Sequence, residues 1–165
     1  MKYQWNIIGH GRELESIERH IENPAHAYLF TGPERIGKFT IAKRFAQIVQ
    51  CPNNFCHTCP VCIQVQKGGH MDTVEMPDTG ASLKIEQMRE VGARLNMTTN
   101  SNYKILLLEN IGRLTEEAAN SLLKLLEEPP PQTLFFFTAT HPRDVLPTIR
   151  SRMQLRRSSI QVLAA

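Results

Sequence analysis

The segment Gly32-Pro33-Glu34-Arg35-Ile36-Gly37-Lys38-Phe39-Thr40 restricts what this chain can fold into more than any other stretch of it. The spacing Gly-x-x-x-x-Gly-Lys followed by a hydroxyl residue is that of a phosphate-binding loop. Its backbone N–H groups wrap phosphate oxygens and its lysine neutralises their charge. The last position normally offers a hydroxyl to Mg²⁺. Here that position is Phe39, and a phenyl ring has no oxygen to give a hard cation. The loop also needs a strand before it and a helix after it. Ala27-Tyr28-Leu29-Phe30-Thr31 is a short β-prone run, and Ile41, Phe45, Ile48 and Val49 recur at helical spacing between Lys38 and Gln50. The architecture of a nucleotide-handling domain therefore comes with a defect in its chemistry.

The same alternation continues downstream. A helix is predicted over about 61–68, and a strand at Thr73-Val74-Glu75-Met76, closed by Pro77, Asp78 and Gly80. Ile85, Met88, Gly92 and Leu95 form one face of a helix between Leu83 and Asn96. Lys104-Ile105-Leu106-Leu107-Leu108 is a continuous apolar strand, as in a sheet covered on both sides. Thr115 reads as an N-cap with Glu116 and Glu117 in the first turn, and Pro129, Pro130 and Pro131 stop the helix that follows. Leu134-Phe135-Phe136-Phe137-Thr138 is a further buried strand, then a short helix near 143–149 and a last strand at about 153–157 are expected. Strands alternating with helices predict an α/β fold, a three-layer α/β/α P-loop domain on a parallel five-stranded sheet, with nucleotide at the carboxyl ends of the strands. A length of 165 residues fits one domain over 1–165.

All four cysteines, Cys51, Cys56, Cys59 and Cys62, fall in one segment with the spacing C-x4-C-x2-C-x2-C. No apolar signal core opens the chain and no long apolar run follows, so it reads as cytoplasmic, with no membrane partner. In that compartment clustered thiols point to metal rather than disulfides. Four thiolates suit tetrahedral Zn²⁺ in a closed, structural site, making 51–70 a small zinc-binding insert. His57 and His70 are nearby alternative ligands. The run C-x2-C-x2-C is also half of an iron–sulfur motif, whose fourth cysteine before proline is missing. Uncoordinated thiols are the third reading. The net charge of +3 is too mild to argue nucleic-acid binding, and Arg143, Arg150, Arg152, Arg156 and Arg157 read by composition as a solvated face.

Hydrolysis in this architecture needs the phosphate loop, a metal-binding hydroxyl, an acidic pair ending a central strand and a polar sensor. Gly32, Gly37 and Lys38 supply the first; Phe39 loses the second, and Thr40 stands one residue late. After Leu108 comes Glu109-Asn110, and an asparagine side chain cannot take a proton from water. Thr138 and Thr140 are candidate sensors or ordinary strand residues. Efficient turnover is not expected, while weak ATP or ADP binding through Gly37 and Lys38, with Thr40, Glu109 and Thr140 nearby, remains open.

Several segments together carry a family resemblance. They are Ile8-Gly9-His10-Gly11 with Leu14, His26-Ala27-Tyr28-Leu29-Phe30 before the loop, and the cysteine insert after the loop's helix. Lys104 to Asn110 and Ala119-Asn120-Ser121-Leu122-Leu123-Lys124-Leu125-Leu126-Glu127-Glu128-Pro129-Pro130 add to them, as does Ser151-Arg152, with Met153 where the family has cysteine. Over about residues 5–157 the chain resembles the AAA+ module of bacterial DNA polymerase III clamp-loader subunits, most of all the delta-prime type. The resemblance implies a RecA-like AAA+ core and a part in loading the sliding clamp onto primed DNA in replication. It implies a hetero-pentamer with gamma/tau-type motor subunits and a delta subunit, with ATP at subunit interfaces. The delta-prime type does not hydrolyse ATP itself and gives an arginine finger to its neighbour's site; by position that arginine is Arg152. The family's lid and collar domains have no counterpart in these 165 residues. Two other functions stay open: an active P-loop ATPase, and a zinc-dependent nucleic-acid-binding module.

Overall fold

In the computed structural model, which describes residues 1–154, three strands are buried at every position: β1 (Ala27–Thr31), β3 (Lys104–Leu108) and β4 (Thr133–Ala139). Such strands must be covered on both faces. With the edge strand β2 (Thr73–Met76) they form a four-stranded, wholly parallel sheet in the order β1-β4-β3-β2. Successive strand side chains point to opposite faces, and the core divides accordingly. Tyr28, Phe30, Ile105, Leu107, Leu134 and Phe136 pack under α1 (Gly11–Glu18), α2 (Lys38–Gln50) and α3 (Pro60–Lys67). Ala27, Leu29, Leu106, Leu108, Phe135 and Phe137 pack under α4 (Ile85–Leu95), α5 (Glu116–Glu127) and α6 (Pro147–Gln154). The result is three layers, α/β/α.

Phe136 sits at the centre of the first layer's core. It is fully buried, stacked on Tyr28 at 5.3 Å and tilted against Phe45 at 5.0 Å between ring centroids. Phe136→Ala is expected to destabilise the fold by about 3–5 kcal/mol, a fall in melting temperature of about 6–20 °C for a chain this size. Calorimetry showing a melting point unchanged within about 2 °C would contradict this packing.

Local signals explain most boundaries. Thr115 Oγ1 accepts from the Ala118 N–H at 3.3 Å, capping α5 where the sequence predicts it. α3 opens with Pro60 in its first turn and ends at Gly68 (φ 74°). The C-terminal expectation is corrected. Four strands, not five, are present among the described residues. Met153 and Gln154, expected in a last strand at 153–157, belong to α6, and the rest of that range lies outside the described residues, as do Arg156 and Arg157. The physical reason is that Ile149 and Met153, four residues apart, share one helical face in the second core. The helix expected near 143–149 divides into a 3₁₀ turn, Pro142–Asp144, and α6.

α1 has no counterpart in the sequence prediction. It is short and buries only two residues, Leu14 and Ile17, and tertiary contacts hold it. The Glu18 carboxylate accepts hydrogen bonds from Lys2 N (2.8 Å), Tyr3 N (3.1 Å) and Trp5 Nε1 (2.9 Å), which ties the N-terminal segment to the helix. Burial pushes the pKa of that carboxyl up, but these donors outweigh it and hold the group below its ordinary range. No helix among the described residues is long and apolar enough to cross a membrane.

Candidate functional site

The loops that follow the parallel strands converge on one cleft of about 580 Å³, at the carboxyl edge where such sheets bind ligands. The phosphate loop forms one wall. Gly37 caps α2 with φ 88°, a left-handed conformation that glycine adopts without steric penalty. The turn aims the first N–H groups of α2, and the positive end of its dipole, at the cleft. Lys38 Nζ turns back onto the loop, donating to Gly32 O at 2.8 Å and to Pro33 O. Burial pushes the Lys38 ammonium pKa down, against the pull of Glu34 and Glu109. Phe39 lines the cleft while leaning on the core beneath α1, α2 and α3; Thr40 is exposed and also lines the cleft.

The opposite wall carries Glu109, Asn110, Thr138 and Thr140. Asn110 has left-handed backbone angles (φ 57°, ψ 74°), and its N–H donates to Thr138 Oγ1 at 2.8 Å. Its Nδ2 donates to Asp78 Oδ2 at 2.7 Å. Asp78 Oδ1 accepts from Gly80 N at 2.8 Å and from Arg113 Nε at 3.0 Å, while the Asp78 N–H donates to Glu109 Oε2 at 2.9 Å. Burial raises the Asp78 pKa, but the donors Asn110, Gly80 and Arg113 outweigh it and hold the carboxyl below its usual range. A carboxylate so capped is a poor base, and Asn110 is no base at all.

Asp78 and Arg113 are cleft residues that sequence reasoning missed. By sequence Asp78 belongs only to the turn that closes the strand Thr73–Met76. The available signal was topological: the turn after every parallel strand reaches the same edge. The lining holds three cationic side chains, Arg35, Lys38 and Arg113, against three carboxylates, Glu34, Asp78 and Glu109.

The cysteines gather at the other end of α2. Their sulfurs all lie within 4.8 Å of one another, with Cys51–Cys56 at 3.9 Å and Cys51–Cys59 at 3.8 Å, and no disulfide joins them. Four thiolates around an ion at a metal–sulfur distance of about 2.3 Å stand about 3.8 Å apart at the edges of a tetrahedron, so this set could hold one metal ion. Cys51 ends α2 and Cys59 caps α3, accepting the Cys62 N–H at 3.4 Å; Cys56 Sγ accepts the Cys59 N–H at 3.3 Å. The backbone N–H groups of Thr58 and Cys59 bring the Cys56 thiol down to about 6, which favours the ligating thiolate. The two histidines are engaged elsewhere: His57 Nε2 lies 2.9 Å from Gln4 O, and His70 Nδ1 lies 3.1 Å from Thr73 Oγ1. Because α2 spans 13 residues, the cage lies about 20 Å from the phosphate loop.

Arg152 belongs to neither group. On α6 it pairs with Glu127 at the end of α5, and its Nη1 donates to Thr148 O at 3.1 Å.

Fold and cleft together define a P-loop α/β domain. A family model described as DNA polymerase III, delta subunit, matches residues 12–159, and the chain belongs to that family, the clamp-loader-related subunits of DNA polymerase III. Among similar curated proteins, the DNA polymerase III subunit gamma of Buchnera aphidicola (subsp. Schizaphis graminum) is 32% identical over 92% of this chain and 41% of its own length. The subunit tau of Bacillus subtilis is 33% identical over 79% of this chain and 24% of its own length. The chain therefore spans less than half the length of either relative. A DNA polymerase III gamma subunit-related protein from Thermotoga maritima superposes with a TM-score of 0.66 over 93% of this chain and 46% of that one, at 23% identity. A RuvB variant from the same organism gives 0.54 over 89% and 44%, at 15% identity. Both likenesses concern the fold.

Proposed function

We propose that this chain is a clamp-loader subunit of the delta-prime kind, which takes part in loading the sliding clamp while its own cleft stays catalytically silent. One observation carries the reading. The cleft keeps the phosphate loop, but Phe39 stands where the pattern puts the metal-binding hydroxyl, and Asn110, tied to Asp78, stands where it puts the base. ATP or ADP binds weakly through the N–H groups at Gly37 and through Lys38, which must first leave Gly32 O. Arg152 acts as an arginine finger in the ATP site of a neighbouring gamma/tau-type motor subunit, leaving Glu127 to do so. The wider assembly holds a delta subunit, the clamp and primed DNA. Zn²⁺ in the cysteine cage is structural: four protein ligands close its coordination sphere, and the cage is remote from the cleft.

Phosphate release tests the silent cleft. With saturating ATP and Mg²⁺ the isolated protein is expected to stay at least about 10³-fold below an ordinary P-loop ATPase, since metal and base are lost together. Steady turnover at motor-subunit rates, abolished by Lys38→Ala, would restore the active-ATPase reading.

A further inference from the structure

We propose that the cleft accepts a nucleoside di- or triphosphate free of divalent metal, with Arg113 supplying the positive charge that Mg²⁺ brings to an intact phosphate-loop site. This rests on the reading above that the cleft takes nucleotide at all. The first support is the state of its oxygen donors. A divalent cation at such a site needs oxygens, and position 39 has none. Glu109 Oε2 already accepts the Asp78 N–H, and the two Asp78 oxygens accept from Gly80, Arg113 and Asn110. An ion drawing on these oxygens would displace their present donors, and it would meet Lys38 and Arg113 in the same cleft.

The second support is the guanidinium itself. Arg113 is anchored to Asp78 through Nε alone, and no hydrogen bond to a described residue uses Nη1 or Nη2. Its side chain is 41% exposed and shares the cleft with Gly37 and Lys38. A planar guanidinium stays charged at any physiological pH, and its terminal N–H groups fit two oxygens of one phosphate. Its backbone position is set firmly. Arg113 ends a 3₁₀ turn (Ile111–Arg113), its N–H donates to Asn110 O at 3.0 Å, and a Cβ added at Gly112 would stand 3.3 Å from Asn110 Oδ1. Asp78 thus acts as a bracket that holds Arg113 by one nitrogen and leaves its fork to the ligand. The equal number of cations and carboxylates around the cleft keeps affinity low.

Calorimetric titration of the purified protein with ATP and with ADP, in saturating Mg²⁺ and in EDTA, tests the inference. Dissociation constants in the two conditions are expected to agree within about threefold. Arg113→Met, which keeps the aliphatic stem, should weaken binding about tenfold in EDTA, as for loss of a charge-assisted hydrogen bond, with melting temperature as the control for folding. Arg113→Gln should do the same if the Met variant folds poorly. Binding that Mg²⁺ tightens tenfold or more, and that Lys38→Met abolishes, would overturn this inference and leave the nucleotide reading standing. Parental affinity in the Arg113 variants would overturn it as well. No binding of either nucleotide in either condition would overturn both.

Discussion

Stripping the proposed Zn²⁺ from Cys51, Cys56, Cys59 and Cys62 should lower the melting temperature by about 8–16 °C, the largest stability change expected from any treatment that leaves the sequence intact. Several terms act together. Cys62 is fully buried, and burial, with further contributions from Cys51 and Cys59, pushes its thiol pKa up, so a thiolate there is unfavourable until a cation compensates it. The cage loop also holds three non-glycine residues in left-handed conformations, Asn54 (φ 58°), Phe55 (φ 63°) and His57 (φ 62°). Each costs about 1–2 kcal/mol unless its surroundings impose it. Phe55 is 4% exposed in the first core, so loosening the loop also uncovers apolar surface. A loss of about 4 kcal/mol converts to the range above at about 2–4 °C per kcal/mol. The sheet and its ring cluster remain, so the metal-free protein should stay folded near room temperature. Elemental analysis should find one zinc per chain, and Cys62→Ser should reproduce the chelated melting curve. A zinc-free preparation melting at the same temperature as a zinc-loaded one would end the structural-metal reading.

As the proposed arginine finger, Arg152 changed to alanine (Arg152→Ala) should lower turnover at the motor site of the proposed loader by about 10³-fold, at the lower end of what arginine fingers contribute. Folding should barely change. The Arg152–Glu127 pair has side chains 33% and 44% exposed, and a pair that open to solvent contributes under about 1 kcal/mol. Arg152→Lys keeps the charge but not the planar fork, so it should recover little activity. Glu127→Gln releases the guanidinium from its resting partner and should leave turnover intact. The readout is ATPase of the reconstituted complex with clamp and primed DNA, beside a melting curve of the variant alone. Full activity in the Arg152→Ala complex would assign the arginine to the α5–α6 contact and nothing more.

Much of the fold could be read directly because its signals are local. β1, α2, β2 and β3 begin and end where the apolar runs and helical spacings place them, since each run is bounded by glycine, proline or a change of periodicity. The cysteine cage was legible for the same reason: short spacings between ligands keep the sulfurs close whatever the rest of the chain does. α1 and the C-terminal helix were not. Leu14 and Ile17 offer only two apolar positions in a short helix, and the carboxylate of Glu18 ties that helix to residues 2–5 across more than a dozen positions. Met153 follows Ile149 into a core built by α4 and α5. The lining of the cleft was half legible: Lys38, Glu109 and Asn110 belong to a pattern, whereas Asp78 and Arg113 do not.

The sequence alone determined the strand–loop–helix of the phosphate loop, the missing hydroxyl at Phe39, the missing base at Asn110 and the grouping of four thiols. Each is a property of neighbours along the chain. The tertiary structure decided what those parts face: Lys38 folded onto its own loop, Asp78 set between Asn110 and Arg113, and Arg152 held by Glu127. Parallel strands make the difference, because they bring turns from distant parts of the chain to one edge. The partners of a side chain there follow from strand order, which no local pattern encodes.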